Sequence, residues 1–201
     1  MKIVIAQALF NSHSYLEYRK LMADLLKDGK STAVEQTQER THYSELNESR
    51  MRRLDKTMRI TDENGAKLKA LTKRYIWLVL SESWCGDAAQ ILPILHKMEL
   101  ESNGKIEMKL VLRDENETLM NHFLTHKGKA IPKLIVIDKE TGSVVGDWGP
   151  RPQGAVNLIE AYKAEFGSID ETVKANLQLW YLHDKGLSTQ NEIIQLLQNL
   201  E

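Results

Sequence analysis

Apolar positions change their period near residue 75. Before it they recur at helical spacing. Tyr15, Tyr18, Leu21, Met22, Leu25 and Leu26 share one side of a helix that Asp28-Gly29 ends. Residues 30–42 are polar and read as a loop. A second helix is predicted from about Ser44 to Met58, with Leu46, Met51, Leu54 and Met58 inward. A third starts near Asp62 and carries Ala66, Leu71 and Tyr75. Aromatic residues at such spacing point to packing.

From residue 76 uniformly apolar runs alternate with amphipathic stretches. Ile76–Leu80 reads as a strand buried on both faces. A helix follows, with Ala88, Ile91, Leu92, Leu95 and Met98 inward and Gly104 beyond its end. Ile106–Leu112 is the next strand, and Asp114–Thr125 a helix carrying Leu119, Met120, Phe123 and Leu124. The strands Leu134–Ile137 and Ser143–Trp148 flank the turn Asp138–Gly142, and a helix spans about Ala155–Phe166. The order is β-α-β-α-β-β-α, in which parallel strands need crossover helices and the last pair needs only a turn. Two further helices follow in residues 170–201. Val173, Leu177, Trp180 and Tyr181 line the first, which stops near Gly186. The second starts at Ser188-Thr189, where Thr189 and Glu192 have capping-box spacing, and turns Ile193, Leu196, Leu197 and Leu200 inward. The chain thus divides into a helical N-terminal part (1–75), an alternating α/β part (76–166) and a helical C-terminal part (167–201), the helical parts packing their apolar faces on the middle one.

Composition narrows the possibilities. At 201 residues, 42% hydrophobic and 27% charged, the chain can bury a core. Its formal net charge of −1 argues against a general nucleic-acid binder. The longest apolar runs are strand-length, so no membrane span is expected. Met1–Phe10 has the Lys and apolar stretch of a short signal peptide, but Asn11-Ser12-His13-Ser14 follows directly. It is read as structured, and the protein as cytoplasmic. Residues 1–75 carry 15 Lys+Arg against 10 Asp+Glu (net +5), and residues 76–201 carry 12 against 18 (net −6). Complementary charge is therefore expected to help the parts dock, with the cluster Arg50, Arg52, Arg53, Lys56 and Arg59 the alternative seat for an anion or acidic partner. One cysteine excludes an internal disulfide and a zinc site built on several thiolates.

That cysteine lies in Ser83-Trp84-Cys85-Gly86-Asp87-Ala88, between a buried strand and an amphipathic helix. Trp84-Cys85-Gly86 matches the start of the Trp-Cys-Gly-Pro-Cys motif, Pro93 lies eight residues beyond the Cys, and Ile131-Pro132 precedes a strand. Together with the element order, residues 76–166 resemble the thioredoxin superfamily. Trp-Cys-Gly-Asp-Ala, with Arg113-Asp114-Glu115-Asn116 and Trp148-Gly149-Pro150-Arg151, is more specifically similar to a bacterial thioredoxin-like branch with helical extensions. The resemblance implies a thioredoxin-like α/β fold, a central mixed sheet flanked by helices, extended by helices at both ends. It makes Cys85 the nucleophile and sets Trp84, Gly86, Asp87, Ile131, Pro132 and Gly149 around the substrate. The implied partners are protein thiols or low-molecular-weight thiols, with no nucleic acid, membrane, metal or bound cofactor.

A Cys at a helix N-terminus meets free backbone N–H groups and the positive end of the macrodipole, which lower its pKa. Asp87, where the motif has Pro, raises it, and the sequence leaves the balance open. Ala88 stands where the family carries its resolving Cys, so ordinary dithiol turnover is not expected. Val79 stands where many thioredoxins place a buried acid, six residues before the nucleophile. Three readings of Cys85 follow: a monothiol forming mixed disulfides, a peroxide-reactive sensor, or a residue of a non-catalytic interaction module. By the same resemblance Gly149 turns near the nucleophile, leaving Arg151 either to meet an anionic ligand or to stand in solvent. His122 and His126 are four apart on a predicted helix, read as a surface pair rather than metal ligands, and His96 lies too far along its helix to activate Cys85.

Overall fold

The computed structural model describes residues 1–201. Four helices come first: α1 (Lys2–Phe10), α2 (Tyr15–Lys27), α3 (Gln38–Thr57) and α4 (Asp62–Lys69). Then come β1 (Tyr75–Ser81), α5 (Gly86–Glu101), β2 (Ile106–Leu112), α6 (Glu117–Asn121), β3 (Lys133–Asp138), β4 (Val144–Trp148) and α7 (Gln153–Phe166). Helices α8 (Glu171–Asp184) and α9 (Leu187–Gln198) complete the chain. The sheet order is β2-β1-β3-β4, with β1 parallel to β2 and antiparallel to β3, and β3 antiparallel to β4. This is the expected mixed α/β architecture. No helix is long and apolar enough to cross a membrane.

Strand β1 is central, and from Trp77 to Ser81 every residue is buried. Its apolar run is therefore covered on both faces, as a doubly packed strand requires. The core is continuous from end to end. Ile5 of α1, Tyr18 and Met22 of α2, Met51 of α3, Val173 and Leu177 of α8 and Ile193 of α9 join the sheet and α5 in one apolar cluster. The link between α1 and α2 also covers the outer edge of β2, where His13 and Leu110 exchange backbone hydrogen bonds of 2.8 and 2.7 Å.

Several boundaries differ from the sequence expectation, each for a local reason. Helix α3 begins at Gln38, six residues before Ser44, because the Thr37 side chain caps it by accepting from Arg40 N–H. Leu46 is exposed, and the buried face of α3 is instead Ser44, Asn47, Met51 and Leu54. Helix α4 ends at Lys69, and Tyr75, read as its last apolar position, opens β1 opposite Ile106 and Asp138. The helix expected over Asp114–Thr125 shrinks to the five residues of α6. Asn116 turns its side chain back onto the Leu112 carbonyl at 2.9 Å, and Thr125 and Gly128 pair as a tight turn. His122 therefore sits at the helix end and His126 at φ +49, so the two do not share a helical face. Gly186, not Ser188 or Thr189, is the N-cap of α9; Glu192 accepts from Trp148 Nε1 and Gln153 N–H instead of closing a capping box.

Complementary charge does not carry the docking of the N-terminal part. Only Lys69–Glu101 and Arg74–Glu140 bridge residues 1–75 to the rest, and both pairs are substantially solvent-exposed. Exposed pairs contribute little, so buried apolar surface and neutral hydrogen bonds dominate.

Gly149 follows β4 at φ +115, and a Cβ there would stand 2.3 Å from the Pro132 carbonyl oxygen. Both the conformation and the contact exclude a side chain. Gly149→Ala is expected to lower unfolding free energy by roughly 2–4 kcal/mol in urea titration. An unchanged midpoint would show that the Pro132–Gly149 approach is not a constraint.

Candidate functional site

The C-terminal end of β1 delivers the turn Glu82-Ser83-Trp84-Cys85 to the start of α5. Cys85 is the N-cap residue: its Sγ accepts from Ala88 N–H at 3.5 Å, while its S–H donates to the Ile131 carbonyl at 3.3 Å. The Ile131–Pro132 and Gly149–Pro150 peptides are cis. Cys85 is 9% exposed and its pKa is pushed up to about 12. Burial is the largest cause and the charge of Asp87 the second. The N–H groups of Ala88 and Asp87 and the Arg151 cation oppose them and lose. The resting group is a thiol.

Asp87 is buried, yet one cation and one hydroxyl hold it. Its Oδ2 meets Arg151 Nη2 at 2.7 Å, and its Oδ1 accepts from Tyr181 O–H at 2.8 Å. Burial raises the Asp87 pKa, with Arg151 and Tyr181 opposing. Arg151 is thus not an unpaired, solvated cation: its Nη2 meets Asp87 while the residue lines the cavity above Cys85. Trp84 is half-buried with two guanidiniums over its rings, Arg113 at 4.8 Å and Arg40 at 5.6 Å from the centroid. Gly86 opens α5 without steric need for glycine, since a Cβ there would meet only side-chain atoms at 3.6 and 3.8 Å.

A buried polar network anchors this turn. Glu82 is fully buried, accepting from Asp114 N–H at 2.9 Å and from the Thr32 hydroxyl. Ser83 N–H donates to Thr32 Oγ1 at 2.9 Å, and Thr32 N–H to Ser83 Oγ at 3.0 Å. From α3, Ser44 Oγ lies 2.7 Å from Ser83 Oγ, and Asn47 Nδ2 donates to the Ser83 carbonyl at 2.8 Å. Val79 leaves the usual acid position apolar, but Glu82, three residues before Cys85, supplies a buried carboxyl. Burial drives its pKa up to about 7, against the hydrogen bonds from Thr32 and Asp114. The sequence carried a signal: an acid directly continuing a strand buried on both faces.

Above Cys85 lies a cavity of about 580 Å³, walled by α3 on one side and α8 on the other. Arg40, Tyr43 and Arg50 come from α3, and Lys174, Leu177 and Gln178 from α8, with Trp84–Asp87 and Arg151 below. Of the residues predicted around the substrate, Trp84, Gly86 and Asp87 line this cavity with Cys85. Ile131 reaches the sulfur through its carbonyl, and Pro132 and Gly149 touch each other beside that segment. Sequence reading missed Glu82, Tyr181 and Gln178 and did not connect Arg50 to Cys85. His96 stacks on Tyr15 and meets Glu99, and takes no part in the site.

A four-stranded mixed sheet with a Cys at the N-terminus of the helix after its central strand defines a thioredoxin-like protein. The sequence model of the family described as Thioredoxin matches residues 33–163, more than half of the chain, and the chain belongs to that family. Two solved structures are similar over nearly its whole length. A protein of unknown function from Pseudomonas aeruginosa is 15% identical, with 98% of each chain covered and a TM-score of 0.65. An HIV epitope scaffold is 19% identical, with 93% of this chain and 99% of that chain covered and a TM-score of 0.56. At such identity the likeness concerns the fold alone. No curated protein matches the sequence.

Two outcomes follow. Asp87→Asn keeps the acceptor for Tyr181 but removes the charge beside Cys85, leaving Arg151 to favour the thiolate. Alkylation of Cys85 at pH 8 should accelerate by about tenfold; an equal or slower rate would show that Asp87 does not hold the thiol up. Glu82 has a raised pKa in the folded chain, so it favours folding at low pH and loses that advantage as pH rises from 4.5 to about 7. Glu82→Gln should therefore gain on the wild type by about 3 kcal/mol between pH 4.5 and pH 8 in urea titrations. A pH-independent difference would sink this account of the carboxyl.

Proposed function

We propose that this is a single-cysteine thioredoxin-like protein that forms mixed disulfides through Cys85. In this reading it belongs to the bacterial branch marked by Trp84-Cys85-Gly86-Asp87-Ala88, acts in the cytoplasm, and exchanges with protein thiols or low-molecular-weight thiols. Trp84, Gly86, Asp87, Ile131, Pro132 and Gly149 surround the captured sulfur. The observation that carries the proposal is Cys85 on the floor of an open cavity, against the Ile131 carbonyl.

The step is exchange. The Cys85 sulfur attacks one sulfur of a disulfide as its proton passes to solvent. The S–S bond breaks, and the displaced thiolate takes up a proton. Cys85 is oxidised to a mixed disulfide and one substrate sulfur is reduced to a thiol. Ala88 offers no internal thiol to reverse this, so a second, external thiol must release the substrate. A thiol pKa near 12 makes the uncatalysed attack slow at neutral pH, because the thiolate is the nucleophile. The same fact counts against a peroxide sensor, which needs a standing thiolate. A second reading, a non-catalytic interaction module, draws support from the protonated thiol and the missing partner Cys.

The deciding measurement is intact mass after incubation of the folded chain with 2-hydroxyethyl disulfide. One adduct per chain is expected, absent in Cys85→Ser, released by excess thiol, and forming faster as pH rises through 9 without a neutral plateau. No adduct after prolonged incubation at pH 9 would leave the interaction module as the reading.

A further inference from the structure

We propose that the cavity above Cys85 contains an anion subsite, formed by Arg50 and Gln178, that seats the carboxylate of a small thiol or disulfide reacting at Cys85. The inference rests on the exchange reading above for its chemistry, but its geometry is independent of it.

Arg50 is the cavity cation without a counter-charge. Its Nη1 donates to the neutral Asn47 Oδ1 at 2.7 Å, and no carboxylate comes within ion-pair distance. Every other cation lining the cavity is paired: Arg151 with Asp87 at 2.7 Å, Lys174 with Glu171 at 2.6 Å, and Arg40 with Glu35 at 3.4 Å. Of the carboxylates on the walls, Asp87 and Glu171 are consumed by these pairs, and Glu39 stands exposed. Arg50 is half-buried, and burial weakens its hold on its own proton, as expected of a cation lacking a partner.

Gln178 supplies the second donor. Its Oε1 is occupied by Gln90 Nε2 at 2.7 Å, which turns its own amide N–H groups toward the cavity with no acceptor. The two donors converge. Gln178 Nε2 and Arg50 Nη1 lie 3.6 and 3.8 Å from the point where a Cβ on Gly86 would stand, one residue from the nucleophile. A guanidinium and an amide over the same spot suit the two oxygens of a carboxylate, and a partly dry wall strengthens the attraction. Asn47 joins this subsite to the turn, since its Oδ1 receives Arg50 while its Nδ2 holds the Ser83 carbonyl.

The test compares an anionic and a neutral disulfide of similar reactivity, 5,5′-dithiobis(2-nitrobenzoate) and 2,2′-dithiodipyridine. Each rate on Cys85 is divided by that on 2-mercaptoethanol. The anionic reagent should be favoured by about tenfold. Arg50→Gln should abolish the preference, read as the ratio of the anionic to the neutral rate, Gln178→Ala should reduce it several-fold, and Lys56→Gln, an equal charge change elsewhere on α3, should leave it intact. A wild-type ratio equal to that of the free thiol, or one that Arg50→Gln does not alter, overturns the subsite. If neither reagent reacts, the exchange reading fails and the subsite is judged by thermal shift with thiodiglycolate, an unreactive thioether dicarboxylate. Stabilisation of the wild type but not of Arg50→Gln then upholds it, and no stabilisation overturns it.

Discussion

The turn from β1 into α5 is largely buried, and each polar group in a buried turn costs free energy unless it finds a partner. Within residues 82–85 the backbone closes one such bond itself, from Cys85 N–H to the Glu82 carbonyl at 3.1 Å. Thr32 from the loop before α3, and Ser44 and Asn47 from α3, hold Glu82 and Ser83, making the N-terminal helices part of the wall that holds Cys85. This explains why Ser44 and Asn47 are fully buried on a helix whose apolar positions are few. Removing those helices would expose apolar surface and also strip the hydrogen bonds from the strand end that presents the cysteine.

The same enclosure sets the electrostatics. A cysteine at a helix N-terminus has two reasons to ionise, and here both are outweighed by loss of water and by Asp87. Asp87 is tolerated in its buried position because Arg151 and Tyr181, from either side of α7, close on its two oxygens. The result is a protonated resting thiol beneath a cavity with one uncompensated cation. Reactivity in such a site depends on what enters the cavity more than on the cysteine alone.

Much of the fold was legible because it depends on local pattern. The uniformly apolar β1 run, the Ile106–Leu112 strand and the hairpin across Asp138–Gly142 follow from periodicity and turn chemistry. Misreadings arose where a tertiary partner outbid local preference. Tyr75 continues a helical pattern but pairs in the sheet; Glu192 has capping-box spacing but is taken by Trp148; Asp114–Thr125 has helical composition but Asn116 and the Thr125–Gly128 turn break it.

The sequence by itself determined the β-α-β-α-β-β-α order, the position of the lone cysteine after the central strand, and the absence of a resolving thiol. These depend on residue type and spacing alone. Only the tertiary structure decided that Arg151 is bound to Asp87, that Glu82 is a buried carboxyl tied to Thr32, and that α3 and α8 enclose Cys85. Those outcomes depend on which side chains meet across tens of residues of chain, and on how much water the meeting excludes. Dielectric and pairing are properties of that assembled environment, so no reading of Trp84-Cys85-Gly86-Asp87 could say whether its sulfur rests as thiol or thiolate.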